Sequence, residues 1–446
     1  MTRASLDPSD WDAFRRTLHD AVDATVDELA AVRDGPAWRP VPDAVKVQLR
    51  EPLPREGEPL EATYARFAEL IAPYSTGNRH PRFFGWVHGA GTPAGVLAEL
   101  LAAAMNSNVG GREHAAVYVE REVIRWFAEL FGFPVNASGI LTSGTSMGNL
   151  LAVVAARDAA LGPSARAAGI GGARLTAYAG TGVHDSVAKA LRTAGLGEDA
   201  LRLVRLDDAL AIDVGALRER IAADRAAGAQ PFLVVATAGS VDSGAFDPLG
   251  ALANLCAAEG LWLHAPYAVG CVLFRDERAH RAAFASEPEY LGRAERGTAA
   301  GAPWFTDYGL ELSREFRALK VWFTLRHFGI DRLGESIART CELATTLAGY
   351  VDGADDLELL APVALNVVCF RFRRPGLDDA ELDRLNEAIA VLVQESGMAV
   401  TSTTRIGGRR ALRACIVNHR TDELDLDMLL MAVRTAARTH LAGPTA

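Results

Sequence analysis

The sequence predicts an α/β fold whose central sheet is mostly parallel. Between about residue 90 and residue 330, helical patterns alternate with short apolar strands, which favours a parallel sheet covered by helices on both faces. Beyond residue 330 the helical patterns are long and the strand patterns few, which predicts a small α+β domain. We therefore expect an N-terminal helical arm over residues 1–89, a large domain over 90–330 and a small domain over 331–446.

The sequence of the N-terminal arm predicts two helices separated by a proline-rich passage. Residues 8–34 form an amphipathic pattern, because apolar side chains recur there at spacings of three and four. The passage from Pro36 to Pro59 predicts turns and extended chain, and a second helix is predicted around Glu61 to Ile71. This arm could pack on a partner subunit or on its own domain.

The predicted elements of the large domain follow in a regular order. Helices over GVLAELLAAAMNSN and YVEREVIRWFAELFGF lead to the strand GILTSG, which turns at once into the helix SMGNLLAVVAARDAAL. The further predicted strands are LTAYAG, LRLVRL, FLVVATAG and LWLHA. In the small domain the strand patterns are LNVVCFRFR and RALRACIVN, and a helical pattern follows each.

Composition and charge exclude several classes of protein. The chain has 446 residues and a net charge of -10, and its basic residues are spread along it, so no nucleic-acid partner is expected. The sequence has no apolar run long enough to cross a bilayer and no secretory signal, so we expect no membrane partner and a cytoplasmic location. Its 5 cysteines are scattered without a CxxC pair, which suits reduced thiols, and no metal site is expected.

A strand that ends in Thr-Ser-Gly-Thr-Ser and turns directly into a helix offers a cradle for a phosphate group. The small residues at 142–146 let an anion approach the backbone, and the helix N-terminus supplies unpaired N–H groups and a favourable dipole. The hydroxyls of Thr145 and Ser146 add donors. An ordinary Ser/Thr helix cap is the alternative interpretation.

Several longer segments carry a more specific pattern. They are HPRFFGWVHGAGTPAGVLAELL at 80–101, TSGTSMGN at 142–149, GVHDSVAKA around His184, VATAGSVDSGAFDPL at 235–249 and FRALKVWFTLRHFG at 316–329. Together with LNVVCFRF and LRACIVNHRT, and in this order, they resemble the group II pyridoxal-phosphate (PLP) decarboxylases. That family includes the aromatic-amino-acid, histidine and glutamate decarboxylases.

The resemblance implies the PLP-dependent transferase type I fold, normally a homodimer with its sites at the subunit interface, and an amino-acid-like small-molecule ligand. It implies pyridoxal 5'-phosphate as the cofactor. Thr145 and Ser146 would lie at its phosphate, His184 would stack on its pyridine ring, and Thr237 and Ser240 would be further cofactor-binding residues.

In that family, a lysine amine forms an imine with the cofactor, the amino acid displaces the lysine, and the ring accepts the electrons left when carbon dioxide departs. An aspartate keeps the ring nitrogen protonated. The resemblance implies that His184 and Tyr308 are catalytic, with Tyr308 in the place of a mobile-loop tyrosine that protonates the reacting carbon. A tyrosine packed beside the FRALK helix is the alternative for Tyr308.

The stretch that supplies the family's aspartate and lysine is absent from this sequence. In the family, a strand ending in a HVDAAYGG-like motif is followed by a helix, a strand, a HKW motif with the lysine, and a strand similar to GCLLVRD. Here LWLHAPYAVGCVLFRD, residues 261–276, joins the first and last of these directly after His264. We therefore expect a sheet one strand short, with 261–276 forming a hairpin.

The chain contains three lysines, Lys46, Lys189 and Lys320, and we expect each at the surface or in the layer behind the site. Lys189 and Lys320 are the alternatives for covalent attachment, which is otherwise not expected. Smaller departures from the family motifs accompany the gap: Met147 replaces a glutamate, and Gly239-Ser240-Val241 replaces Gly-Thr-Thr.

Three hypotheses remain open, and with them the question of whether the chain is an enzyme. The chain could be a homologue of amino-acid decarboxylases that, as it stands, is itself unable to perform Schiff-base decarboxylation. It would then be a PLP-independent pseudoenzyme, a partner subunit or an enzyme of other chemistry. It could be an ordinary aromatic-type decarboxylase whose given sequence omits a segment of a longer protein. It could also bind PLP noncovalently as a scaffold or regulator.

Overall fold

A computed structural model describes residues 5–266, 270–286 and 292–443. The chain divides into two compact units. The terminal unit consists of residues 1–93, 336–361 and 366–446, and the central unit consists of residues 94–335 and 362–365. The predicted arm and the predicted C-terminal domain therefore contribute to one unit, while the division into three domains remains a prediction.

The predicted helical pattern is confirmed along the described chain. The helices are α1 (Trp11–Ala30), α2 (Asp43–Gln48), α3 (Leu60–Leu70), α4 (Pro93–Met105), α5 (Ala115–Leu130), α6 (Thr145–Leu161), α7 (Ala165–Ala168), α8 (Ser186–Thr193), α9 (Val214–Ala226), α10 (Leu249–Glu259), α11 (Glu277–Phe284), α12 (Ala318–Phe328), α13 (Ile330–Asp352), α14 (Asp379–Glu395) and α15 (Glu423–Ala442). None of these helices, within the described residues, has the length and apolar character needed to cross a membrane.

The strands predicted from the sequence are all present, and the structure adds two that were not predicted, Leu357–Leu359 and Ser402–Ile406. The described strands are β1 (Ser138–Leu141), β2 (Leu175–Gly180), β3 (Leu201–Val204), β4 (Gln230–Val235), β5 (Trp262–His264), β6 (Cys271–Phe274), β7 (Leu357–Leu359), β8 (Val367–Phe372), β9 (Ser402–Ile406) and β10 (Arg409–Cys415).

The proline-rich passage contains a helix, α2, that the sequence analysis did not predict. Pro42 stands at its N-cap with φ of -61°, so the proline ring begins the helix and removes no internal hydrogen bond. Asp43 lies in the first turn and pairs with Lys46 at 2.9 Å in the last turn. The expectation of only turns and extended chain from Pro36 to Pro59 is therefore wrong for this turn and a half of helix.

The terminal unit is built on an antiparallel sheet in the order β7-β8-β10-β9. Helices α14 and α15 pack against each other and on this sheet. The N-terminal segment joins the same unit through backbone hydrogen bonds: Phe84 N donates to Val400 O at 2.7 Å, and Cys415 N donates to Phe84 O at 2.8 Å. The N-terminal arm thus packs on the C-terminal part of its own chain.

The central unit contains a parallel sheet in the order β3-β2-β4-β5. Strand β2 pairs with β3 and β4, and β4 pairs with β5 from Leu233↔Trp262 to Val235↔His264. All residues of β2 are buried, as expected for a strand covered on both faces. The predicted parallel sheet is confirmed.

Strands β5 and β6 do not form the hairpin predicted for residues 261–276. Strand β6 pairs antiparallel with β1, from Ser138↔Phe274 to Leu141↔Cys271, and these two strands form a sheet of their own. The hairpin fails because each strand already has another partner: β4 for β5, and β1 for β6. Between the two sheets, the rings of Trp262 and Phe274 meet edge to face with centroids 6.1 Å apart.

A buried ion pair fixes strand β1 to the loops around it. The carboxylate of Glu120 on α5 and the guanidinium of Arg314 are fully buried and meet at 2.5 Å. Arg314 also donates to Leu141 O at 2.6 Å and to Val109 O at 3.0 Å, and Glu120 accepts from Leu141 N at 3.1 Å. Both members of the pair therefore hydrogen-bond to the same strand end, at Leu141.

Replacing Arg314 with Met should destabilise the protein by about 3–5 kcal/mol, because the Glu120 carboxylate is then buried without its cationic partner. Chemical denaturation would measure the loss. The matched control is Arg125→Met, which removes exposed ion pairs to Glu122 and Glu129 and should cost less than about 1 kcal/mol. Equal losses for the two variants would contradict the role given to the buried pair.

Candidate active site

The predicted phosphate cradle lies at the N-terminus of α6, where β1 turns into the helix. Gly144 is the N-cap residue, and a Cβ added to it would have open space around it. Thr145 and Ser146 form the first turn, with Thr145 half-buried and Ser146 exposed. The loop therefore presents backbone N–H groups and hydroxyls to an accessible volume, which suits an anion.

Gly270 packs directly against this loop. Thr142 N donates to Gly270 O at 2.7 Å, which continues the β1–β6 pairing into the cradle. A Cβ added to Gly270 would stand 2.6 Å from Thr142 O and 3.4 Å from Gly144 N. The glycine thus permits the close approach that holds the loop in place.

A hydrogen-bond chain connects His184 to the interior of the central unit. Nδ1 of His184 lies 2.7 Å from Ser186 Oγ, and Ser186 Oγ accepts from Asn149 Nδ2 at 2.8 Å. Oδ1 of Asn149 lies 2.8 Å from Nε2 of His264. His184 is exposed while Ser186 and Asn149 are buried, so the chain runs from the end of β5, through α6 and α8, to the surface.

Burial lowers the pKa of His264 to about 4, so its imidazole is neutral at pH 7. A neutral imidazole carries one N–H, and a carbonyl oxygen such as Asn149 Oδ1 can only accept. His264 Nε2 therefore donates to Asn149, and this bond orients the amide with Nδ2 toward Ser186.

The loop with Thr237 and Ser240 is fixed by a buried carboxylate. Thr237 N donates to Asp247 Oδ2 at 2.6 Å, and Ile212 N donates to Oδ1 at 2.7 Å. Burial raises the pKa of Asp247, while these two backbone donors oppose the rise. Ser240 is buried, and its Oγ would lie 3.9 Å from a Cβ added to Gly182, two residues before His184.

Tyr308 lies in the core of the central unit, in the same cluster as Ile140 and Leu151. Its hydroxyl donates to Glu277 Oε1 at 2.5 Å, and its carbonyl accepts from His280 Nε2 at 2.8 Å. It is 7% exposed, and burial, with Glu277 beside it, raises the pKa of its hydroxyl. This placement favours the alternative of a packed tyrosine, and the catalytic role of Tyr308 stays a prediction.

All three lysines form ion pairs at the surface. Lys189 Nζ lies 2.7 Å from Asp185, and Lys320 Nζ lies 2.6 Å from Glu99. The Lys46 side chain, paired with Asp43 in the terminal unit, is 55% exposed, and those of Lys189 and Lys320 are 63% and 51% exposed. Hydrogen bonding to Lys189 lowers the pKa of the Asp185 carboxyl, as expected for a formed ion pair.

The structure therefore brings together the α6 cradle and His184, and it places Ser240 close to the loop before His184. It adds Asn149, Ser186 and His264, which the sequence analysis did not include among the site residues. Asn149 and Ser186 stand inside the quoted motifs, but no spacing in the sequence shows that they bond to each other.

Comparison with known proteins identifies the family. The profile of the pyridoxal-dependent decarboxylase conserved domain matches residues 42–270 and 265–373, which together make up most of the chain. The chain belongs to the pyridoxal-dependent decarboxylase family.

Members of this family resemble the chain over almost its whole length. The aromatic-L-amino-acid decarboxylase of Bacillus atrophaeus is 30% identical over 469 aligned positions that cover 95% of each chain. The L-2,4-diaminobutyrate decarboxylase of Rhizobium meliloti (strain 1021) is 28% identical, covering 97% of this chain and 94% of the relative. A crystal structure of Oryza sativa TDC with PLP and tryptamine is similar with a TM-score of 0.88 at 26% identity, covering 98% of this chain and all of that one. The predicted type I fold is thus confirmed, apart from the 261–276 hairpin.

Gly270→Ala should destabilise the central unit by about 1–3 kcal/mol, because the added methyl group overlaps Thr142 O and forces β6 away from the cradle. The Thr142 amide should also lose protection from hydrogen exchange. Gly172→Ala is the control, since a Cβ there meets nothing within 4 Å. Unchanged protection at Thr142 in the Gly270 variant would contradict this packing.

Acid should destabilise the protein partly through His264. Its pKa in the fold, about 4, is below the ordinary value of 6.5. The stability that the neutral ring contributes is therefore complete above pH 6.5 and is lost as the pH falls toward 4. In His264→Gln, the new amide can still donate to Asn149. The unfolding free energy of this variant should fall less steeply across the window, with a slope smaller than that of the wild type by about 1.4 kcal/mol per pH unit. His327→Gln, at an exposed position, should keep the wild-type slope. A wild-type slope in the His264 variant would show that this ring is not the group responsible.

Proposed function

We propose that this member of the pyridoxal-dependent decarboxylase family binds a phosphate-bearing ligand such as PLP noncovalently and does not perform Schiff-base decarboxylation as the chain stands. The observation that carries this proposal is the state of the lysines. All three are exposed and ion-paired, and the link from Ala265 to Gly270 contains no lysine.

The phosphate end of PLP fits the residues present. The cradle at Gly144–Ser146 offers hydroxyl groups, the first backbone N–H groups of a long helix and open space at Gly144. His184 lies at the exposed end of the hydrogen-bond chain that starts from Asn149 on α6, and its exposed ring could stack on a ligand. PLP supplies an aldehyde and an electron-accepting ring when bound.

The other end of PLP does not fit. The family's motif has an aspartate two residues after its histidine, and Pro266 stands at that distance from His264. His264 itself is neutral and bonded to Asn149, and Ala265 and Pro266, the described residues that follow it, carry no carboxylate. The described residues at this end of β5 supply neither an amine nor a carboxylate, so they do not support Schiff-base decarboxylation.

The comparisons support a missing segment at this place. The two matches to the family profile, 42–270 and 265–373, meet at the link between β5 and β6. The alignment to the Bacillus atrophaeus relative has 469 positions, more than the 446 residues of this chain. We propose that one helix and one strand, with the lysine, are absent after His264. This observation also favours the second candidate, an aromatic-type decarboxylase whose full sequence is longer.

We further propose that the chain forms a homodimer. Helix α4 is strongly apolar, and several of its side chains are about half exposed: Val96 (45%), Leu97 (50%), Leu100 (43%), Leu101 (41%) and Met105 (51%). A patch of this kind on one helix is typical of a surface that another chain covers.

The purified chain mixed with PLP and treated with borohydride should yield no pyridoxyl adduct on any lysine, and it should release no carbon dioxide from aromatic amino acids. Mass spectrometry and a carbon dioxide assay would measure both. A chimera in which the corresponding segment of the Bacillus atrophaeus relative is inserted between His264 and Gly270 should gain the adduct and the activity, because the cradle and His184 are retained.

A chimera with the inserted lysine replaced by alanine is the matched control and should gain neither. Decarboxylation by the chain itself, or a specific adduct on Lys189 or Lys320, would contradict the proposal. Reversible spectral changes of PLP that disappear on dialysis would support noncovalent binding, and their absence would oppose it.

A further inference from the structure

The hydrogen bonds at His184 determine which of its ring nitrogens carries the proton. Ser186 N donates to Nδ1 at 3.1 Å, so Nδ1 must accept and carries no hydrogen. Ser186 Oγ already accepts from Asn149 Nδ2, which leaves its own hydrogen free to donate to Nδ1 at 2.7 Å. The proton of the neutral imidazole therefore resides on Nε2.

Asn149 is central to this arrangement because it links two histidine rings: His264, which donates a hydrogen bond, and His184, whose Nδ1 accepts one. Its Oδ1 accepts from His264, and its Nδ2 then points to Ser186. The amide is 2% exposed, so no solvent competes for these bonds. A hydrogen bond in such surroundings is oriented by its partners and stabilises one arrangement over the others.

We propose that Asn149 is a positioning residue that, through Ser186, holds His184 in the tautomer with its proton on Nε2. His184 then presents an N–H donor on its exposed side. Within the described part of the chain this Nε2 has no hydrogen-bonding partner, so it is available to a ligand. The statement that Nε2 faces a ligand rests on the proposed function, whereas the assignment of the tautomer is independent of it.

This tautomer selects the chemical class of ligand. An imidazole fixed as an Nε2–H donor favours a group with an acceptor oxygen, such as a phosphate ester or a carboxylate, and offers no lone pair to an ammonium group. The helix N-terminus of α6 has the same preference for anions. Both features therefore fit an anionic ligand without requiring a lysine.

Long-range proton–nitrogen NMR of the full chain labelled with ¹⁵N-histidine tests this role directly. The wild-type His184 should show a protonated Nε2 and an unprotonated Nδ1. In Asn149→Leu the Ser186 hydroxyl loses its donor and its orientation, and in Asn149→Asp the carboxylate draws the hydroxyl away from His184. Each change removes about one net hydrogen bond of ~1 kcal/mol, so the population of the Nδ1–H tautomer should rise about fivefold.

Ser186→Ala should reproduce the shift while leaving Asn149 in place. The control is Asn386→Leu, which removes an equally buried amide of the terminal unit and should leave the His184 resonances unchanged. A wild-type His184 protonated on Nδ1 would overturn the proposal. So would Asn149 variants whose His184 resonances match those of the Asn386 control.

Inorganic phosphate separates this inference from the proposed function. If the cradle binds the anion, added phosphate should move the Nε2–H resonance of His184 in the wild-type chain. The expected tautomer without any response to phosphate or PLP would support the role of Asn149 and count against the proposed ligand.

Discussion

In the central unit no described strand joins β5 to β6, so the strands form two separate sheets. Helix α6 holds these two sheets together because it packs on both. Its buried side chains serve two cores: Leu151 and Ala155 pack with β1 and β6, and Val153 and Ala156 pack with β2 and β4. The N-terminus of the same helix forms the cradle, and its second turn carries Asn149. The geometry of the site therefore depends on how α6 packs against both groups of strands, because any shift of the helix moves cradle and network together.

The same packing explains how the fold is retained although strands β5 and β6 have no bond to each other. A strand needs a partner on at least one edge and apolar cover on its faces. Strand β5 has β4, and β6 has β1, whose register continues through Gly270 into the cradle. Trp262 packs against both cores, so the space between the sheets is filled by side chains where backbone pairing is missing.

Periodicity and turn residues were sufficient to predict most of the fold. The alternation of helix and strand patterns fixed the parallel sheet, and the glycine turn before α6 located the cradle. The hairpin at 261–276 was wrong because a short link between two strands suggests that they pair, whereas the longer-range pairing of β6 with β1 cannot be read from local sequence. The network of Asn149, Ser186 and His264 was missed for the same reason: its members come from three separate segments, and only the packing of α6 on α8 and β5 brings them together.

Anion recognition and imine chemistry require different parts of such a site. In the proposed site, an anion would be bound by backbone N–H groups, hydroxyls and an imidazole N–H, which come from the β1–α6 turn and the residues at the start of α8. Imine exchange needs an amine at one fixed point, which a single segment of chain must deliver. If that segment is absent, as proposed above, the amine is lost while α6, α8 and their hydrogen bonds stay in place. Binding and catalysis therefore depend on different segments of chain, and the residues of the proposed site belong to the segments that binding needs.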